Sequence, residues 1–282
     1  MTTSGKIMGL FINLFFACSV QAQDPRDTLV MYQKDSAVVP ETEKTVLFFQ
    51  NNERIPAGQQ SKILLITKAK KTIKLSTYLK ATDLWNADHV LADIDNDGKK
   101  ELLFSNYTGG SHCCDEIYIY KNIAVNKYQY AARMFAGHTV ISDSNEFLYG
   151  LYENFGYFFT CYACTYIDTS DAAPIDVSQL TLRYNKGKLT VKPGDAELKS
   201  IINDNLSKLG ELPFQKPDED LHQDEGIRKE IALNLAAYYF SFRKNLVETQ
   251  KLFNKYYKHP DAKTIWSAFT KELQHIRSQN DF

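Results

Sequence analysis

Residues 90–120 read VLADIDNDGKKELLFSNYTGGSHCCDEIYIY. Two apolar runs flank an acidic turn, and a Gly-Gly turn with two adjacent cysteines follows at once. β-Branched, leucine and aromatic side chains on either side of Asp, Asn and Gly are the composition of strand, turn and strand. The stretch is expected to form two β-strands joined by a metal-holding loop, next to a covalent staple.

Carboxylates stand at loop positions 1, 3, 5 and 9 (Asp93, Asp95, Asp97 and Glu101), Gly98 stands at position 6, and Lys99 at position 7 offers a backbone carbonyl. Oxygen ligands at this density suit Ca²⁺, which takes ~6–8 of them at roughly 2.3–2.6 Å. Without a cation the clustered charges repel one another. Mg²⁺ ranks second, because it demands near-octahedral geometry and keeps its waters. An EF-hand would place Glu at position 12, where Phe104 stands, and would flank the loop with helices. The plainer reading is a solvent-facing acidic turn. The expected cofactor is Ca²⁺, held by Asp93, Asp95, Asp97, Lys99 and Glu101. No nucleophile stands beside the carboxylates, so no catalytic residue is expected among them.

The run ADIDNDGKKELLF resembles the calcium loop of FG-GAP/VCBS-type β repeats, in which an alternating Asp loop with Gly precedes an acidic residue and an apolar strand. Its continuation, SNYTGGSHCC, resembles a group of uncharacterised exported bacterial proteins with a Gly-Gly-x-His-Cys-Cys segment after such a loop. The resemblance implies Asp93, Asp95, Asp97 and Glu101 as metal ligands, and Gly109, Gly110, His112, Cys113 and Cys114 as a second element. It implies no enzymatic activity. The chain holds one copy of the loop and no fixed-period repeat that would force a full propeller or solenoid.

The N-terminus carries an export signal. Lys6 precedes an apolar run too short to span a bilayer, and Val20-Gln21-Ala22 offers a peptidase site before Gln23. Residues 1–22 are expected to be removed, which places the mature chain in the periplasm or outside the cell. A second reading is lipidation at Cys18. Of the five cysteines, Cys18 leaves with the signal. Cys113, Cys114, Cys161 and Cys164 remain, and an even number in an oxidising compartment favours disulfides. Two bridges joining the first pair to the second are expected, since a Cys113–Cys114 bond closes a strained ring. Zinc held by the sulfurs and His112 is a weaker reading. So is a redox pair at Cys161 and Cys164, which have thioredoxin-type spacing but no helix-forming stretch after them. His112 is expected to be a turn residue.

The chain has 282 residues, is 44% apolar and 24% charged, and has a formal net charge of −1. A packed core is expected and global disorder is not. No basic excess is present to grip nucleic acid. Strands are expected at 29–33, 45–50, 62–69, 71–79, 85–94, 101–107, 116–122 and 127–136. Ile117 and Ile119 would face the core, while Tyr118 and Tyr120 would form a half-wet face. The aromatic tract at 146–168 is expected to give two or three short strands, broken at Gly150 and Gly156. Its Tyr149, Tyr152, Phe155, Tyr157, Phe158 and Phe159 are expected to fill the core rather than line a groove. Residues 177–195 read as a hairpin turning at Asn185-Lys186-Gly187.

From Asp195 the period becomes helical. Leu198, Ile201, Ile202, Leu206 and Leu209 mark one helix, capped by Asp195. Helices of about 226–243, one around Leu252 and Phe253, and one around Ile265, Trp266, Phe269, Leu273 and Ile276 follow an acidic linker. The expected fold is α+β: an antiparallel β-rich region (23–193) with a single propeller-blade-like calcium loop, then a helical region (195–282). The expected function is an exported, calcium-binding, disulfide-stabilised protein that acts by binding or support in the cell envelope. Its partner would be an envelope protein or glycan, with no membrane span. Two other readings are an envelope hydrolase with a site between the β domain and the helices, where a histidine such as His89, His112 or His138 would meet carboxylates, and a thiol oxidoreductase using Cys161 and Cys164.

Overall fold

A computed structural model describes residues 28–32, 46–47, 64–66, 72–74, 86–107, 115–124, 127–136, 140–141, 146–164, 166, 177–216, 224 and 226–282. The expected signal segment, Cys18, Gly109, Gly110, His112, Cys113, Cys114 and His138 lie outside these residues.

Two antiparallel sheets form the β region. The larger contains β1 (Thr28–Tyr32), β3 (Leu64–Ile66), β4 (Thr72–Lys74), β5 (Asn86–Ala92), β6 (Glu101–Tyr107), β7 (Asp115–Ala124) and β8 (Lys127–Ala136), in the order β4-β3-β1-β8-β7-β6-β5. The smaller contains β2 (Val46–Leu47), β9 (Val140–Ile141), β10 (Glu146–Gly150), β11 (Gln179–Asn185) and β12 (Lys188–Val191), in the order β12-β11-β10-β9-β2. No propeller is present among the described residues. The acidic loop instead joins edge strand β5 to its neighbour β6 in one seven-stranded sheet, and Ala92 opposite Glu101 is the last register pair before it.

Five helices follow among the described residues: α1 (Tyr152–Phe155), α2 (Ala196–Gly210), α3 (Ile227–Ser241), α4 (Leu246–Tyr256) and α5 (Ala262–Gln279). Asp195 caps α2, accepting from the Leu198 N–H at 2.8 Å, as its position before the apolar period predicts. Asn245 caps α4 through the Val247 and Glu248 N–H groups. α3 is buried nearly all round, from Ile227 through Ser241, so it is the central helix rather than a surface helix with one apolar stripe. It packs on α1, α2, α4, α5 and β11.

One apolar cluster runs unbroken from Leu103, Ile117 and Met134 on the large sheet, through Phe147 and Leu182 on the small one, to Leu235, Phe269 and Ile276 on the helices. The helices therefore cover the sheets and share their core. Three expectations need correction here. Tyr118 and Tyr120 are buried, along with Leu102 and Tyr128, so the second face of the large sheet is covered and not half-wet. The tract after Gly150 forms α1 and turns through Cys164, leaving β10 as its one described strand. Tyr149, Phe155 and Phe158 fill the core, where Phe155 lies against Phe158 and Phe269, and Tyr152 and Phe159 pack half-buried against it; Tyr157 is exposed, against expectation. Their β-propensity reflected a surface that packs well, which a turn can supply as readily as a strand.

Residues after α5 finish an edge. The Phe135 N–H donates to Asn280 Oδ1 at 2.6 Å, the Arg133 N–H donates to Asp281 Oδ2 at 3.0 Å, and the Asp281 N–H donates back to the Arg133 carbonyl at 2.9 Å. Strand β1 pairs with β8 only at residues 127–129, so these contacts occupy β8 beyond the end of that ladder.

Candidate metal centre

Alternation along β6 puts Glu101 on the same face as Leu103, which belongs to the core. A carboxylate thus occupies a core-facing register position, and its residue is 0% exposed. One turn of chain away, Ile94 is buried and ties the loop to the core. The loop between them folds on its own amides. Asp93 Oδ1 accepts from the Asp97 N–H at 3.0 Å, and Oδ2 accepts from the Gly98 N–H at 2.9 Å. Asp97 Oδ1 accepts from the Lys99 N–H at 2.9 Å. Asn96 (φ 56°) and Gly98 (φ 84°) supply the two left-handed residues the bend requires.

This folding brings one carboxylate oxygen each of Asp93, Asp95 and Glu101 within 4.8 Å of one another. Asp97 and Lys99 are not in that group; both sit at the exposed tip of the turn. Glu101 Oε2 accepts the Ile94 N–H at 3.3 Å. Asp95 Oδ2 accepts the Lys186 N–H at 2.9 Å. The other oxygen of each, Glu101 Oε1 and Asp95 Oδ1, is buried without a hydrogen-bond partner. A buried acceptor left unsatisfied costs about 1–3 kcal/mol, and more when it is charged. Burial pushes the Glu101 carboxyl up to about 7; the Asp95 and Asp97 charges add to the rise and the Ile94 N–H opposes it. Burial also pushes up the Tyr184 phenol, with Glu101, Asp95 and Asp97 adding to it.

The residues fit a hard divalent cation: oxygen donors only, an excess of negative charge, and two buried oxygens with nothing bound to them. Sequence reasoning missed Lys186 and Tyr184, because they reach the turn from the β11–β12 hairpin of the other sheet. The Asn-Lys-Gly turn signal located the hairpin but not its destination.

The cysteine turn differs from its expected form. Cys161 and Cys164 are bonded to each other, with Cα atoms 5.1 Å apart, so neither bridges to Cys113 or Cys114. Spacing explains the outcome: the Cys164 N–H donates to the Cys161 carbonyl at 3.1 Å, and this tight turn brings the two sulfurs together locally. A bridge from 114 to 161 would close a loop of roughly 50 residues and stabilise by about 4 kcal/mol; a ring of about four residues gives about 2 kcal/mol. As a staple it is weak. The turn lies against α3: a Cβ added at Gly226 would come within 2.7 Å of the Cys164 carbonyl oxygen and 2.9 Å of the Tyr166 nitrogen. From the first turn of α3, Lys229 Nζ reaches the Tyr152 hydroxyl (2.7 Å), the Tyr162 carbonyl (2.9 Å) and the Cys161 carbonyl (3.2 Å).

Among the histidines considered for hydrolysis, His89 lies on β5 opposite Phe104. No helix among the described residues is long and apolar enough to cross a membrane. Comparison with protein families, curated proteins and solved structures returns no match.

Proposed function

We propose that this chain is an exported calcium-binding protein with a binding or structural role in the cell envelope, and that Asp93, Asp95 and Glu101 hold the ion. The observation that carries this reading is the buried Glu101, with one carboxylate oxygen lacking any partner and two further carboxylates within 4.8 Å. A bound ion would neutralise the cluster and satisfy both orphaned oxygens. Asp95 would then be held from two sides, by the ion and by the Lys186 amide, so the loop of one sheet would be locked to a hairpin of the other. A divalent ion bound only by the folded state stabilises it by linkage, by about 3–4 kcal/mol at 100 to 1,000 times its Kd.

Calorimetric titration of calcium into chelator-treated protein tests the reading. It is expected to show one saturable site and a raised melting temperature, both lost in Glu101→Gln. Absence of binding heat together with an unmoved melt would remove it. Magnesium in a parallel titration is expected to bind more weakly.

A further inference from the structure

Lys229 is 0% exposed. The Tyr152 hydroxyl donates its proton to the Tyr162 carbonyl at 2.5 Å, so it accepts from Lys229. All three oxygens around Nζ are therefore acceptors. Three donated hydrogen bonds require –NH₃⁺, since a neutral amine has only two protons to give. The ammonium also lies 4.6 Å from the centre of the Tyr152 ring, a further attraction for a cation. Among the described residues no carboxylate is bonded to it. Its neighbour Arg228 is matched differently, with ion pairs to Asp224 at 3.0 Å and Asp261 at 2.8 Å. Glu153 meets the turn at the Tyr162 hydroxyl, which donates to it at 3.3 Å, and burial raises the Glu153 carboxyl above its ordinary range.

A buried charge with only neutral acceptors is costly to maintain. Here two of those acceptors are carbonyls of one turn, at Cys161 and Tyr162, and that turn holds a disulfide. Reduction would add a thiolate to a residue, Cys161, whose carbonyl Lys229 already holds, and among the described residues no carboxylate competes for that cation. A helix start completes the setting, because Gly226, the residue before α3, lies against the Cys164 backbone. Electropositive surroundings of this kind lower a thiol pKa. Cys161 and Cys164 are partly exposed and Ala163 between them is exposed, so the turn lies at the surface.

We infer that Cys161–Cys164 is a redox-active disulfide that exchanges with an external thiol, and that Lys229 is the positioning charge that stabilises the Cys161 thiolate. The exchange balances as follows. A thiolate of a glutathione- or dithiol-class reductant attacks the Cys164 sulfur, forming a mixed disulfide. The Cys161–Cys164 bond breaks, and Cys161, the residue whose carbonyl accepts from Lys229, leaves as the thiolate. A second thiol of the reductant resolves the mixed disulfide. Two electrons and two protons pass to the cysteine pair, and the reductant is left as its own disulfide. This inference stands apart from the calcium reading, since it uses neither the acidic loop nor an ion.

The test uses the full chain in chelator, equilibrated in glutathione redox buffers, with free thiols counted by alkylation and thiolate followed by ultraviolet absorbance against pH. The pair is expected to reduce while the protein stays folded, with a Cys161 pKa at least one unit below the ordinary value of about 8.5. Lys229→Met is expected to raise that pKa by about one unit and to make the disulfide about tenfold harder to reduce at neutral pH. Should Lys229→Met fail to fold, the titration of the native protein decides alone. A native thiol titrating at or above the ordinary value, or a bond that yields only on unfolding, would overturn the inference.

Discussion

The acidic turn at 93–101 and the cysteine turn at 161–164 are electrostatic opposites. The first buries negative charge and leaves two of its oxygens without donors. The second surrounds a buried positive charge with neutral oxygens alone among the described residues. Each turn is incomplete in charge, in opposite senses. The first is suited to a cation, the second to an anion that reduction of its own disulfide would create. Buried charge is expensive unless matched, so each mismatch points to a ligand or a chemical state that would relieve it.

Reversing the charge at one turn is the harshest way to break this symmetry. Lys229→Glu would aim a carboxylate at three acceptors already in place. A loss of more than about 4 kcal/mol is expected, enough to unfold many domains, and urea denaturation would measure it. A loss below about 1 kcal/mol would show that the site tolerates either sign, and the contrast would fail.

A gentler comparison uses two glycines of similar φ. Gly98 and Gly226 have φ of 84° and 87°, so alanine is strained at both. At Gly98 a Cβ meets nothing within 4 Å; at Gly226 it meets backbone of the cysteine turn. Gly226→Ala is expected to cost at least about 2 kcal/mol, the usual range for overpacking against atoms that cannot rotate away. Gly98→Ala should cost about 1 kcal/mol, from strain alone. Thermal melts of the two variants would show whether the cysteine turn is the more rigidly seated.

A further expected effect is on pH dependence. The Glu101 carboxyl in the folded state is raised from the usual 4.5 to about 7. The folded protein then binds this proton more readily than the unfolded chain does. Its stabilising contribution is full below about 4.5 and is lost as pH rises through about 7. Metal-free protein is thus expected to lose stability across that window relative to calcium-saturated protein. Parallel stability curves from pH 4.5 to 7.5 would argue that the ion does not reach Glu101.

Sequence made one turn far more legible than the other, for a physical reason. Asp93, Asp95 and Glu101 lie within nine positions, so their meeting follows from local turn chemistry and strand register. β6 at Glu101–Tyr107, the Lys186-Gly187 hairpin and the Asp195 cap are local in the same sense, and each stands where its residues predict. The cysteine turn depends on Lys229, whose amide partners lie 67 and 68 residues away. An Arg-Lys pair at a helix start reads as surface charge. One signal was available: the helix that follows, IALNLAAYYF, is apolar nearly all round, which marks a central helix and puts its first turn inside as well. The expectation that no helix-forming stretch follows Cys161-x-x-Cys164 falls mostly outside the described residues, while the start of α3 lies against the turn in space.

The hydrogen bond from the Lys186 amide to Asp95 spans 91 positions of chain. This one contact of the otherwise locally folded turn can form only once the second sheet has docked, and closing so long a stretch of chain costs entropy before the contact repays it. An ion gripped by that finished shape would act on the way out of the native state rather than on the way in, slowing unfolding and leaving the refolding rate nearly constant. Stopped-flow traces with calcium or chelator would reveal this asymmetry, and a refolding rate that scaled with calcium would place the turn in the nucleus instead.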